Sequence, residues 1–96
     1  MKTKEKNTLI RREFVENEDV LYKYELLMNE RQRGTNCARL YFISVEMTLV
    51  DGSVTYSETG EIFADVGKAI AFFDRMVKNL ATPIDLPYVL EDEIRR

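Results

Sequence analysis

Hydrophobic and polar positions alternate with period two through the first part of the chain and then switch to helical spacing. Residues 8–15 form a first predicted strand, and the polar ENED, residues 16–19, is its turn. Over residues 20–30, Val20, Tyr22, Tyr24, Leu26 and Met28 alternate with Leu21, Lys23, Glu25, Leu27 and Asn29, the pattern of a half-buried strand. RQRGTN, residues 31–36, supplies the next connection, with Gly34 free to take a positive φ. The alternation is clearest over residues 38–50. There Tyr41, Ile43, Val45, Met47 and Leu49 face one way, and Leu40, Phe42, Ser44, Glu46 and Thr48 the other.

Asp51-Gly52 is a strong hairpin signal and predicts a type I′ turn. That turn places Leu49 opposite Val54 and Met47 opposite Tyr56, so apolar faces agree across the pair. Helical spacing begins after Asp65, a residue suited to capping exposed amides at a helix start. Val66, Ile70, Phe73, Val77 and Leu80 form the expected apolar stripe, flanked by Ala69 and Met76, with Lys68, Asp74, Arg75 and Lys78 on the wet side. Thr82-Pro83 ends this helix, because the residue before proline disfavours the α region. A second helix is expected with Asp85 at its N-cap. Pro87 then falls in the first turn, and Leu86, Val89, Leu90 and Ile94 share one face.

The fold class that follows is α+β: a four-stranded antiparallel meander followed by two C-terminal helices packed on one face. Tyr22, Tyr24, Tyr41, Ile43, Val45, Met47 and Tyr56 are expected under the first helix. Residues 1–7 read as a flexible N-terminus and residues 8–96 as a single domain. A chain of 96 residues, 45% hydrophobic and 32% charged, has the composition for one real core.

Charge changes this picture only slightly. Through Arg39 there are nine Lys/Arg and seven Asp/Glu, and from Leu40 onward five and ten. No apolar run approaches the roughly 20 residues of a membrane span. MKTKEKNT has lysines with no apolar segment behind them, so a secretory signal is not expected there. Cys37 stands alone and has no intramolecular disulfide partner, which fits a reducing, cytoplasmic compartment.

Candidate chemistry is sparse. The chain has no histidine, and its four glycines, Gly34, Gly52, Gly60 and Gly67, are too scattered for a phosphate loop. Glu91, Asp92 and Glu93 diverge by about 100° each around a helix and are poorly placed to ligate one cation. Cys37 lies near Arg33 and Arg39 but has neither a histidine to activate it nor a second cysteine. No catalytic, metal or cofactor residue is therefore expected, and the protein reads as non-enzymatic.

The side of the sheet away from the helices is the more informative feature. Phe14, Leu21, Leu27, Leu40 and Phe42 are expected there among Lys23, Glu25, Ser44, Glu46 and Thr48. An apolar patch mixed with charge is the usual mark of a contact surface, so a protein partner or homodimer is expected. The alternative is weak RNA or single-stranded nucleic-acid binding through Arg31, Arg33, Arg39 and the N-terminal lysines Lys2, Lys4 and Lys6. It is disfavoured by the acids Glu5 and Glu30 among them.

The segment TPIDLPYVLED, residues 82–92, follows an amphipathic helix and tyrosine-rich strands. In these features the chain resembles a family of small uncharacterised Firmicute proteins. That family is a domain of unknown function with a C-terminal TP-x-x-L-x-x-V-L-E-D segment. The resemblance implies a cytosolic bacterial protein and assigns no activity or site residue.

Overall fold

The computed structural model describes residues 4–60 and 63–94, without the side chains of Lys4, Asp92 and Ile94. Strands β1 (Lys4–Asn17), β2 (Val20–Arg33), β3 (Asn36–Thr48) and β4 (Val54–Glu58) precede helices α1 (Val66–Lys78) and α2 (Leu86–Ile94). The strands form one antiparallel sheet in the order β1-β2-β3-β4, the expected meander. Of the segment expected to be flexible, Lys4 to Asn7 instead belong to β1, paired with β2 from Gln32 back to Asn29, while residues 1–3 lie outside the described residues.

Each turn follows from local chemistry. Glu18 and Asp19 both take left-handed φ values, 52° and 66°, giving the β1–β2 hairpin the φ pattern of a tight type I′ turn without glycine. At the β2–β3 turn only Gly34 is left-handed, with φ 63°. The third connection differs from expectation. Gly52 N donates to Leu49 O at 2.9 Å, Leu49 N donates to Ser53 O at 2.9 Å, and Gly52 alone has a positive φ, 89°. This is a three-residue loop, Val50-Asp51-Gly52, closed by a glycine bulge, and not the two-residue type I′ turn. Asp51 stabilises it by accepting from Ser53 N at 2.8 Å and Ser53 Oγ at 2.6 Å.

The extra loop residue shifts the β4 register by one. Thr48 faces Val54, Met47 faces Thr55 and Glu46 faces Tyr56. Since side chains alternate with period two, Tyr56 moves from the expected core side to the open side and is 55% exposed.

The helices cover one face of the sheet. Tyr22, Tyr24, Leu26, Ile43 and Val45 are buried against Ala69, Phe72, Phe73 and Met76 of α1. The α1 stripe is therefore rotated from the one read in the sequence: Phe72 is in the core and Val66 is 41% exposed. Asp65 is the N-cap as expected, its Oδ1 accepting from Gly67 N at 2.7 Å and Lys68 N at 3.3 Å. At the other end Ala81 N donates to Met76 O and Leu80 N to Val77 O, a Schellman closure with Leu80 at φ 51° in the position usually held by glycine. Beyond β4 the chain stays on the edge of β3. Thr59 N donates to Ile43 O, Thr59 Oγ1 accepts from Ile43 N, and Phe63 bridges Tyr41 before its ring meets Phe72 at 5.3 Å.

Asp85 immediately precedes α2, the position expected for its N-cap, and its O accepts from Val89 N at 3.0 Å, but its side chain turns back to Thr82. Thr82 Oγ1 accepts from Asp85 N at 3.2 Å, and Asp85 Oδ2 accepts from Thr82 N at 3.1 Å, a reciprocal box around the turn that leads into α2. Leu86 N and Asp85 N both donate to Thr82 O, and the missing donor of Pro87 separates this turn from α2. Leu86 is 1% exposed, so α2 docks on its own sheet, with Val89 and Leu90 partly buried beside it. Arg75 lies over the Phe72 ring and pairs with Glu93, tying α1 to α2. Thr82→Ala is expected to cost about 1 kcal/mol, read as a lower thermal midpoint. An unchanged midpoint would mean the box contributes nothing.

Candidate interaction face

The strand registers define what the uncovered face carries. Starting at the turn end, one row across the sheet is Glu16, Leu21, Thr48 and Val54. The next is Phe14, Lys23, Glu46 and Tyr56, followed by Arg12, Glu25, Ser44 and Glu58. After a bulge between Leu9 and Arg11 come Leu9, Leu27 and Phe42, then Asn7, Asn29 and Leu40.

A charged band runs through this face. Arg12 Nε and Nη2 donate to Glu25 Oε2 at 2.9 and 2.6 Å. Lys23 Nζ lies 3.0 Å from Glu46 Oε2 and 3.9 Å from Glu25 Oε1. Glu25 thus serves two cations with its two oxygens, and three strands are joined by one ionic chain. At the β4 margin Tyr56 Oη donates to Glu58 Oε2 at 2.7 Å, and partial burial with this carboxylate pushes the phenol up to about 12.

Apolar side chains flank the band. Phe14 is 58% exposed and Leu21 42%, on one side; Val54 and Tyr56 are 56% and 55% exposed on the other. These are large apolar groups left in water around a band whose charges are already satisfied. Among the residues expected to form a contact, the structure brings Phe14 and Leu21 together at the surface. Leu27 and Leu40 are half-buried on the same face. Phe42 is a correction: it points to the open side but is only 8% exposed, at the base of a cleft of about 360 Å³ lined also by Asn7, Glu58 and Gly60.

Asn29, 2% exposed, anchors the far part of this face. Its Nδ2 donates to Glu5 Oε1 at 2.9 Å and Asn7 Oδ1 at 2.6 Å. The bond from Asn29, with Arg31 at 3.4 Å, holds the Glu5 carboxyl below its ordinary range. The sequence reading missed the Arg12–Glu25–Lys23–Glu46 chain and the Asn29 cluster. Their signal was present as charged and amide residues at alternate positions, but pairing them needed the register.

The arginines of the alternative reading are not gathered on one surface. Arg31 faces Ala38 on the open side, bonded to Glu5, whereas Arg39 pairs with Glu30 at 2.9 Å on the opposite side. Arg33 sits at the hairpin end beside Asn36. Lys2 lies outside the described residues, as does the side chain of Lys4. Cys37 is exposed and unbridged on this same projection of the sheet, facing Gln32.

The sequence profile of a family of unknown function, DUF6514, matches residues 4–96. The chain belongs to this family. Comparison of the DUF6514 chain with curated proteins and with solved structures gives no match. Among its described residues no helix is long and apolar enough to cross a membrane.

Proposed function

We propose that this DUF6514 domain is a non-enzymatic protein-interaction module whose open sheet face is the contact surface. One observation carries the reading. Phe14, Leu21, Val54 and Tyr56 stand in water around an ion-paired band on the face the helices leave bare. Burying such side chains is favourable at about 25 cal/mol per Å². The paired band adds orientation and register, since its charges keep their partners on docking. A bacterial, cytosolic setting fits the lone Cys37 and the C-terminal resemblance to small Firmicute proteins.

The test is affinity capture from the native cell with wild type and with Leu21→Lys/Val54→Lys. Both positions are exposed, so each change is expected to alter stability by no more than about 0.5 kcal/mol. A partner held by wild type should be recovered at least about tenfold less with the variant. Equal recovery removes the open face as the contact.

A further inference from the structure

Among the described residues the longest open strand edge is the outer edge of β1. Strand β1 is terminal in the sheet, and among the described residues its only ladder partner is β2. Alternate N–H and C=O groups along Lys4–Asn17 therefore point away from the sheet. An edge of this length invites another strand unless it is blunted. The blunting on β1 is local. The bulge between Leu9 and Arg11 breaks the strand and leaves residues 11–17 as an uninterrupted run. The opposite edge, β4, is only five residues long.

We propose that a second copy of this chain adds to residues 11–17, antiparallel, with the two-fold axis passing through Phe14. This goes beyond the reading of the open face, since the contact is the edge of the sheet. Symmetry narrows the registers. Two identical edges meet antiparallel only about an axis normal to the sheet, so opposed residues share a face. An axis at Arg11, Arg12 or Glu13 sets that charge against its own copy, and an axis at Val15 opposes no unlike charges. The axis at Phe14 sets Arg12 against the partner's Glu16 at both ends and brings the two phenyl rings together at the centre. On the helix-bearing face, Glu13 meets the partner's Val15 and Arg11 meets the partner's Asn17, so no like charges oppose each other. This is charge complementarity written into residues 11–17.

The side chains are prepared for it. Arg12 uses Nε and Nη2 on Glu25, which fixes its guanidinium and leaves Nη1 for an incoming carboxylate. Glu16 and Phe14 are exposed. The product is an eight-stranded sheet with both helical layers on one side and the two open faces joined. The contact is small, so micromolar association is expected.

Sedimentation equilibrium up to about 1 mM, with two charge variants, tests the register. Glu16→Lys alone and Arg12→Glu alone each set like charges together at both ends, and each should weaken association about tenfold. Mixed one to one, the variants restore both unlike pairs. Native mass spectrometry should then show the heterodimer, with affinity within about threefold of wild type. Amide exchange in wild type should slow with concentration over residues 11–17 and stay unchanged over Val54–Glu58. Val54→Lys alone, three strands from β1 on the open face, should dimerise like wild type, which separates this contact from the open-face reading. A monomer throughout the concentration range, a mixture no tighter than its components, or protection confined to another strand overturns the proposal.

Discussion

Phe42→Glu is expected to destabilise the domain by about 3–5 kcal/mol, a large part of the 5–15 kcal/mol typical of a domain. Phe42 lies on the side of the sheet without helices, where charged residues such as Lys23 and Glu46 are tolerated. Its row contains Leu9 and Leu27, and the chain at Gly60 walls the cleft above it, so the ring is 8% exposed. A carboxyl there loses the ring's packing and sits in the same cleft as Glu58, with no cation among the described lining residues. It must stay protonated or disrupt the row. Phe14→Glu on the same face is expected to shift stability by no more than about 0.5 kcal/mol, because Phe14 is 58% exposed and opposite Lys23. Urea denaturation of the two variants at low protein concentration measures the contrast. Equal midpoints for wild type and Phe42→Glu would show that the open side buries nothing at this position.

That contrast also explains what was legible in the sequence. Period-two alternation names the face of each residue in β2 and β3 correctly, because both strands are long and carry aromatics on one side. It does not name the neighbours. Phe42 and Phe14 look alike along their own strands, and only the β1–β2–β3 register separates a phenylalanine in an apolar row from one beside Lys23. Register is fragile where turns are ambiguous. Asp51-Gly52 suits both a two-residue turn and a three-residue loop with a glycine bulge, and Val54 can face Leu49 or Thr48 with little difference in local preference. One residue in that loop decided whether Tyr56 was core or contact surface. In α1 the adjacent Phe72 and Phe73 permit two neighbouring stripes, and contact with the sheet selected the one through Ala69 and Met76. The Thr82–Asp85 box was legible: T-P-I-D has a hydroxyl and an acid three residues on. The bulge after Leu9 had a weaker mark: Leu9-Ile10 and Arg11-Arg12 break the alternation, but no glycine locates the extra residue.

Raising the pH from 10 to 12 is expected to cost the fold about 2–3 kcal/mol through Tyr24. Its ring is fully buried and stacked on Tyr22 at 6.2 Å, and its hydroxyl donates to Ala81 O at 2.8 Å. Burial pushes this phenol up to about 12, with Tyr22 and Asp85 adding to the shift. The sign follows from proton counting. Above pH 10 the unfolded chain releases the Tyr24 proton while the folded chain keeps it, so the unfolded state gains free energy of ionisation that the folded state lacks. The contribution is whole below pH 10 and is lost as the pH climbs to about 12. Tyr24→Phe removes this pH-dependent component and instead costs about 1–3 kcal/mol at neutral pH, since Ala81 O loses its donor inside the core. Tyr56, also raised to about 12, titrates in the same window, so the comparison is made in a Tyr56→Phe background. Denaturation at pH 7 and at pH 11.5 reads both effects. The same alkaline loss with and without Tyr24 would mean that the hydroxyl ionises as freely in the folded chain as in the unfolded one. The bond to Ala81 could not then be what ties the α1–α2 connection to β2. The helical layer would be held to the sheet by Leu86 and the α1 stripe alone.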